Sequence, residues 1–348
     1  MVMQIAHVNL ARGYRGGERQ TELLIRGLAE RHVRQVLVVR DGAPLVDRLS
    51  DVDVDIRSCS GSLLAALRAT RDVDLVHSHE GRGVYAAWAR SLLSGTPYII
   101  TRRVNNPIGK SLMARNTYRR ASFVASVAGD IARIVEQYDR RIRSRVIHSS
   151  SSGLAVNQDA LCTIRALFPG KWIVGNVGAL DNAQKGQEYI IEVARRLKDT
   201  HPDIVFLLVG GGADESMLKE LAKGLPSVVF TGFVDNVGDY LAAFDLFILP
   251  SNKEGIGGIL LDAMDQSLPI IASRVGGLAE IVKDGKNGLL IDARSPDQLQ
   301  EAIMRLHDDP ELCARFGAWG RGFSKNFTAD AMSEKYLALY EQSLGSRP

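Results

Sequence analysis

Short apolar runs alternate with amphipathic stretches along the chain. In the first half the apolar runs are short enough for buried strands, and stretches with helical spacing of apolar residues separate them. The predicted strands cover 3–10, 36–39, 75–77 and 98–100, and the predicted helices cover 20–31, 63–70 and 84–93. This alternation predicts an α/β domain with a parallel sheet.

A second series of strands and helices begins near residue 172. Its predicted strands cover 172–177, 204–209, 228–230, 246–249 and 270–272. Two such series in one chain predict two doubly wound, Rossmann-like domains. A serine-rich stretch within 149–162 separates the two series, and 329–344, which follows no strand, has the apolar spacing of a final helix.

The length and composition agree with this organisation. A chain of 348 residues suits two domains, and we expect the boundaries to give 1–155, 156–325 and a terminal helix segment 326–348. Hydrophobic residues make up 45% and charged residues 24%, which is typical of a soluble protein. The apolar runs are too short for a membrane span or a signal peptide, and the three cysteines have no paired spacing. We therefore expect a cytoplasmic protein.

The charge is distributed unevenly. Residues 1–160 contain 24 Lys and Arg against 15 Asp and Glu, a net charge of +9, whereas 161–348 contain 19 and 25, a net charge of −6. Residues 102–145 alone contain 11 basic and 3 acidic residues, and every basic one except Lys110 is Arg. Guanidinium groups suit phosphate and carboxylate, so the first half is predicted to meet an anionic partner. A solvated basic surface is the alternative.

A glycine-rich loop with one carboxylate follows a strand in the second half. The segment 250–264 reads PSNKEGIGGILLDAM and predicts a loop that carries Glu254, then a helix that begins near Gly258. Open α/β sheets bind ligands beyond the carboxyl ends of their strands, where helix N-termini attract anions. Gly255 and Gly257 allow backbone to approach a diphosphate, and a carboxylate accepts hydrogen bonds from sugar hydroxyls. The alternative is that Glu254 only stabilises the first helical turn.

Together with 268–277 and 284–290, this segment resembles glycosyltransferase family 4. The resemblance implies a retaining, metal-independent enzyme of hexosyltransferase type with the GT-B fold, in which two Rossmann-like domains face each other and a C-terminal helix crosses back to the first. It also implies that 1–155 binds the acceptor and 156–325 binds a nucleotide-diphosphate sugar, here expected to be UDP-linked. The sugar nucleotide is the substrate, and no cofactor is expected.

Two carboxylates of the family signature have counterparts in this chain. In the family the first Glu contacts the donor sugar, and a second Glu, separated from it by seven residues, contacts the ribose. Glu254 matches the first, and Asp262, one methylene shorter, stands at the second. Asp262 is accordingly predicted to contact the ribose.

Further motifs extend the resemblance over most of the chain. Gly16 and Gly17 resemble the family's N-terminal glycine loop, and 178–186 resembles a phosphate motif in which an Arg and a Lys clamp the diphosphate. Lys185 matches the Lys, whereas Ala179 stands at the position of the Arg. A turn glycine pair and a surface lysine are the alternatives. The predicted donor contacts are Gly16, Gly17, Gly178, Lys185, Gly211, Val234, Glu254, Gly255, Ile256, Gly257, Gly258 and Asp262.

Catalysis is predicted to rest on positioning and on stabilisation of the leaving diphosphate. Lys185, with backbone amides of the glycine loops, would neutralise the departing diphosphate, and Glu254 would orient the sugar. His79, at the end of a predicted strand in the sequence HSHE, is the third predicted catalytic residue because it is expected to face the cleft. A structural histidine is the alternative.

Two arginines stand where relatives often carry a histidine near the reacting sugar. Arg102 and Arg103 are predicted to hold an anionic acceptor or to replace the Arg that is missing at position 179. Pairing with nearby carboxylates is the alternative. The acceptor is expected to be an anionic envelope glycan or a lipid-linked glycan of the lipopolysaccharide type, and no nucleic acid partner is expected.

The segment 104–124 is basic and partly apolar, which is typical of contact with an anionic membrane. Arg115, Arg119 and Arg120 are the predicted contacts, at the inner face of the cell membrane. Asp51 and Asp53 have the spacing of a metal-binding pair, but 51–55 alternates charged and apolar residues as a strand edge does. No metal ligand set is therefore predicted.

Two other functions stay open. Ala179, Asp262 and the missing histidine would suit a nucleotide-sugar-binding protein of the same fold that has lost turnover. An epimerase of the GT-B fold would convert a sugar nucleotide without an acceptor.

Overall fold

The structure is a computed structural model that describes residues 3–345; residues 1–2 and 346–348, which the predicted domain ranges include, lie outside the described residues. The chain divides into two compact units. The first contains the chain up to Ser152 and the segment from Phe327 onward, and the second spans Gly153–Asn326. The sequence-based boundaries after 155 and 325 stand within three residues of these divisions.

The first unit is a parallel sheet covered by helices. Its strands are β1 Gln4–Asn9, β2 Arg34–Arg40, β3 Asp55–Cys59, β4 Leu75–Ser78, β5 Tyr98–Arg102, β6 Phe123–Ser126 and β7 Ser144–Val146. Its helices up to this point are α1 Gly16–Ala29, α2 Leu45–Arg48, α3 Leu63–Ala69, α4 Gly83–Ser94, α5 Leu112–Arg120 and α6 Gly129–Tyr138. The strand order is β3-β2-β1-β4-β5-β6-β7, and every pair is parallel.

The second unit repeats this plan. Its strands are β8 Trp172–Val177, β9 Ile204–Val209, β10 Val228–Gly232, β11 Leu246–Leu249, β12 Ile270–Ser273 and β13 Gly288–Ile291, in the order β10-β9-β8-β11-β12-β13. Its helices are α7 Gln158–Ala166, α8 Asn182–Lys185, α9 Gln187–Leu197, α10 Glu215–Leu221, α11 Val237–Ala243, α12 Ile259–Asp265, α13 Leu278–Ile281, α14 Pro296–His307 and α15 Pro310–Ser324. The predicted pair of doubly wound α/β domains is confirmed.

Both sheets are buried on two faces, which explains why their strands are apolar without alternation. All six residues of β9 and all four of β11 are buried. In each sheet the chain order reverses next to the first strand, between β1 and β4 and between β8 and β11. We call the edge where the parallel strands end the carboxyl edge and the opposite edge the amino edge.

The last helix, α16 Ala329–Gly345, belongs to the first unit. Its buried side chains, among them Met332, Tyr336 and Tyr340, pack in one core with residues of β1, α1 and β4. A Cβ at Gly27 of α1 would overlap the Ser333 hydroxyl, so the two helices approach closely. The predicted final helix is confirmed.

Two local predictions need correction. The expected helix at 20–31 begins earlier, at Gly16, because the Glu18 carboxylate accepts a hydrogen bond from the backbone N–H of Arg15 (3.0 Å) and closes the first turn. The interpretation of 51–55 as a strand edge is wrong, since β3 begins only at Asp55. Asp51 instead forms an ion pair with Arg26 (Nη1 to Oδ2, 2.9 Å).

None of the helices in the described part of the chain is both long and apolar enough to cross a membrane.

Candidate functional site

The reversal of strand order in the second unit brings two predicted motifs together. The loop after β8 carries Gly178 and Lys185, and the loop after β11 carries Glu254, and both open at the carboxyl edge. Backbone N–H groups of Asn252 and Lys253 donate to the carbonyl oxygen of Gln184 (2.7 and 3.1 Å). The loops are therefore bonded to each other directly.

Lys185 and Glu254 form an ion pair at this place. Lys185 Nζ lies 2.5 Å from Glu254 Oε2, and the side chains are only 19% and 16% exposed. The hydroxyl of Ser251, which is fully buried, donates to the same carboxylate oxygen (3.4 Å). The two residues that the sequence predicts as diphosphate and sugar ligands thus bind each other in this structure. Sequence spacing predicted each of them but gave no indication of the contact.

Glycines make this close packing possible. A Cβ at Gly186 would overlap the carbonyl oxygen of Pro250, and a Cβ at Gly276 would overlap that of Glu254. Both glycines also have positive φ (65° and 53°), which favours glycine independently. Gly277 donates its N–H to the carbonyl of Gly255 (2.7 Å) and holds the Glu254 loop from its other side.

The structure places the other predicted donor residues along the same edge. Gly257 has φ of 65°, and Gly258 is the N-cap of α12, which confirms the predicted helix start. Ile256 and Asp262 are both 6% exposed, so Ile256 contributes backbone rather than side chain to this surface. Asp262 lies in the first turn of α12, and its contact with a ribose stays a prediction.

The loops after β9 and β10 extend this surface. Gly211 accepts a hydrogen bond from the backbone N–H of Leu180 in the loop after β8 (3.2 Å), and Gly210 donates to the carbonyl of Gly232 (3.0 Å). Phe233, next to Val234, exposes 78% of its surface beside these glycines. Phe233 is not among the predicted donor contacts, although an aromatic residue in a loop at this edge is a signal for stacking on a flat ligand.

In the first unit, Gly16 and Gly17 form the start of α1 at the carboxyl edge. Arg103, directly after β5, packs its stem against Gly17, where a Cβ would lie 3.6 Å from Arg103 Cδ. The Arg103 Nε is buried and has no hydrogen-bond partner in the described residues. Burial lowers the pKa of this guanidinium, while the charges of Tyr336 and Glu18 act in the opposite direction. A partly buried cation of this kind suits an anionic ligand.

Arg102 makes different contacts from those of Arg103. It is 8% exposed, its Nη1 donates to the Tyr118 hydroxyl (3.1 Å), and its Nη2 donates to the carbonyl of Asn106. Arg102 therefore fixes the connection that leads to α5, although its buried Nε, like that of Arg103, has no partner in the described residues. An acceptor contact of either arginine stays a prediction.

His79, which is predicted to face the cleft, is buried, and its catalytic role stays a prediction. It is 4% exposed and lies in a cluster with His7 and His77, both fully buried. His7 Nδ1 and His79 Nε2 are 2.9 Å apart, and the His77 nitrogens contact the Tyr340 hydroxyl (2.7 Å) and Thr101 Oγ1 (2.6 Å). The parallel register that sets His7 beside His77 creates the cluster, and single-strand patterns do not reveal register.

One ring nitrogen from each of these histidines lies within 4.8 Å of the other two, which is close enough to consider a metal ion. The hydrogen bonds argue against this interpretation, because both nitrogens of His77 already contact hydroxyls. The positive charge of Arg103 acts on His77 and His79 as well. The cluster is better explained as the hydrogen-bonded attachment of α16.

The predicted membrane arginines make contacts within the protein. Arg115 and Arg119 both donate to the carboxylate of Asp139, and Arg120 donates to Ser91 Oγ (3.0 Å). Because α5 runs from the carboxyl edge to the amino edge, Arg119 and Arg120 lie at the far edge of the sheet from Arg103. A membrane role for these three side chains stays a prediction, and it has to be compatible with these bonds.

Comparison with known proteins agrees with this geometry. Residues 161–323 match the family described as glycosyl transferases group 1. The lipopolysaccharide core biosynthesis glycosyltransferase LpsE of Rhizobium meliloti is 26% identical over 354 residues, which cover 99% of this chain and 100% of that protein. An uncharacterized glycosyltransferase of Methanocaldococcus jannaschii is 28% identical over 283 residues, which cover 78% and 76%. The crystal structure of HepE from Anabaena in complex with UDP has a TM-score of 0.85 at 19% identity, covering 97% of this chain and 100% of that one.

The fold is that of the GT-B glycosyltransferases, and the chain is similar in sequence to glycosyltransferases over most of its length. More particularly, the match to group 1 of the glycosyl transferases lies in the second unit, around the Lys185–Glu254 pair. The resemblance to family 4 that the motifs indicate is confirmed by these comparisons.

We predict that acid destabilises the fold through His7. Burial lowers the pKa of folded His7 from 6.5 to about 3, whereas the unfolded chain takes up this proton near 6.5. The free energy of unfolding should therefore be largest above this range and decrease as the pH falls through it, by up to about 1.4 kcal/mol per pH unit for this group. Urea unfolding at a series of pH values measures the slope. His7→Gln should reduce it, whereas His201→Gln on the surface should not, and identical slopes for both variants would contradict the prediction.

Proposed function

We propose that this protein transfers a hexose-type sugar from a UDP-linked donor to an acceptor hydroxyl and retains the anomeric configuration. The observation that carries the proposal is the Lys185–Glu254 ion pair at the reversal point of the sheet, in the part of the chain that matches group 1 glycosyl transferases. Retention is carried over from the resemblance to family 4.

The ion pair suggests how the donor binds at Lys185 and Glu254. A diphosphate at the carboxyl edge competes with Glu254 for Lys185, since both are anions and the ammonium group is a point charge. Once released, the Glu254 carboxylate accepts hydrogen bonds from the hydroxyls of the sugar. Lys185 then neutralises the charge that develops on the leaving diphosphate as the glycosidic bond to it breaks. Backbone N–H groups of Gly255, Gly257 and Gly258 add to this stabilisation.

The nucleotide base would lie against the loops after β9 and β10. Phe233 offers an exposed ring there, beside Gly211 and Val234, on which a planar base can stack. A uracil base is proposed because the structurally similar HepE was solved with UDP and with UDP-glucose. Asp262 would contact the ribose.

The acceptor is proposed to be an anionic envelope glycan or a lipid-linked glycan, of the type that lipopolysaccharide core enzymes such as LpsE act on. Arg103, with its buried and unpartnered Nε among the described residues, is the proposed acceptor ligand in the first unit. His79 would act as a neutral, buried group that shapes the end of β4 rather than as an acid, because burial lowers its pKa well below the ordinary value. The free cysteines support a cytoplasmic location, with peripheral contact at an anionic membrane.

Glu254→Gln is predicted to reduce sugar transfer by about a hundredfold while leaving the fold intact, because an amide cannot replace both acceptor oxygens of the carboxylate. Product formation from UDP-linked sugars measures the effect, and circular dichroism checks folding. Glu301→Gln, on the surface of the same unit, is the matched control. Transfer by Glu254→Gln at the rate of the control would remove Glu254 from the mechanism.

Lys185→Ala is predicted to weaken binding of UDP about tenfold or more and to leave binding of uridine nearly unchanged, because the lost contact is to the diphosphate. Calorimetric titration with both ligands measures the difference, with Lys198→Ala as the control. Adding Glu254→Gln to Lys185→Ala should restore part of the UDP affinity, since it removes the carboxylate charge that is left unpaired. Equal losses for UDP and uridine would place Lys185 away from the diphosphate.

Transfer activity is predicted to survive incubation with a chelator. The histidine cluster is the place where a metal would be sought in the described residues, and its hydrogen bonds fit a metal poorly. Activity that a chelator abolishes and a divalent ion restores would reopen this question, and metal analysis of a His7→Gln variant would then locate the ion.

A further inference from the structure

The first unit has a concave pocket at its amino edge, formed where α6 leads into β7. The pocket has a volume of about 740 Å³. It is lined by Glu136, Gln137, Arg140, Arg141, Ile142, Arg143, Ser144 and Arg145. The lining segment thus contains four arginines and one glutamate within ten residues.

This pocket is separate from the candidate site of the same unit. The lining residues precede or begin β7, whereas Gly17 and Arg103 lie where β1 and β5 have ended. All strands of the sheet are parallel, so the two places lie at opposite edges, about 15 Å apart for a strand of five residues. A ligand in the pocket is therefore not the sugar acceptor held at Arg103.

The positive charge of the pocket is not compensated by its neighbours. Asp139, the nearest buried carboxylate, already accepts bonds from three arginines: Arg115, Arg119 and Arg141. Burial raises the pKa of the Asp139 carboxyl, but the hydrogen bonds and charges of Arg119 and Arg115 outweigh it and hold the pKa below the ordinary value. One negative charge is thus shared by three positive ones.

Two of the lining arginines have side chains without a partner among the described residues. The side chains of Arg140 and Arg143 are exposed and make neither an ion pair nor a hydrogen bond there. Arg145 lies over the ring of Phe123, with its guanidinium carbon 5.6 Å from the ring centre. The arginines repel one another, and a multivalent anion would relieve that repulsion.

We propose that this pocket binds a ligand with adjacent phosphate groups. The planar fork of a guanidinium pairs with two oxygens of one phosphate, and the unengaged forks of Arg140 and Arg143, with Arg141 and Arg145 beside them, match adjacent phosphates better than a single carboxylate. The pocket is open to solvent, and six of its eight lining residues are exposed, so a ligand can reach it directly. The site holds the phosphate of a lipid headgroup or of a soluble phosphorylated molecule, and in either case the ligand is bound away from the sugar-transfer site.

Calorimetric titration with inorganic pyrophosphate tests the proposal. Arg140→Gln/Arg143→Gln should weaken pyrophosphate binding about tenfold, and the fold should persist because these side chains make no internal bonds. The control, Arg305→Gln/Arg315→Gln, removes the same charge from exposed positions of the second unit and should leave this binding unchanged. Lys185→Ala accounts for any pyrophosphate at the proposed donor site. Binding that disappears with Lys185→Ala and is unaffected by the Arg140 and Arg143 changes overturns the proposal.

Sedimentation with vesicles identifies the source of the phosphate. If phosphatidylcholine vesicles sediment the protein only when they contain phosphatidylglycerol, and if pyrophosphate and the double variant both prevent this, the ligand is a lipid headgroup. If pyrophosphate binds through Arg140 and Arg143 but the acidic vesicles do not sediment the protein, the ligand is soluble. Vesicle and pyrophosphate binding that the double variant retains at full strength overturns the proposal.

Discussion

The reversal of strand order in a parallel sheet is the constraint on which the rest of this structure depends. At the reversal the two neighbouring strands connect to helices on opposite faces, so no helix covers the gap between the loops that follow them. In the second unit these are the loops after β8 and β11, and their glycines allow them to bond to each other. The Lys185–Glu254 pair is a consequence of that arrangement, since neither residue is near the other in sequence.

When no ligand is bound, the ion pair holds both side chains in one defined arrangement. Both side chains are mostly buried, and leaving one of them unpaired would be costly, so each satisfies the other. A ligand that binds only one of the two side chains leaves the other charge buried without a partner, which is energetically costly. A ligand with an anionic group for Lys185 and hydroxyls for Glu254 satisfies both. In the proposed reaction, the pair would therefore favour an intact sugar nucleotide over either of its parts on electrostatic grounds.

The sequence predicted the elements with a strong pattern and missed those with a weak one. β8, β9 and β11 have the predicted bounds, because strands buried on both faces are continuous apolar runs. β3, β6, β7 and β13 were missed: β3 and β7 are edge strands with partly exposed, polar residues, whereas β6 and β13 are apolar runs of only four residues. Motif residues could be named from resemblance, but their partners could not. Adjacent arginines show why: Arg102 and Arg103 look alike in sequence, yet only the structure shows that the first is bonded to Tyr118 and Asn106.

The first unit is built from both ends of the chain, which has a consequence for biosynthesis. Helix α16 supplies Met332, Tyr336 and Tyr340 to a core whose other members, such as Leu24 and Leu75, are made near the start of translation. The second unit is a continuous segment and has all its own residues before α16 leaves the ribosome. Domains usually fold in the order in which they are synthesised. Here that order is inverted for one packing step: the first unit keeps an apolar face uncovered until α16 emerges, after the whole of the second unit.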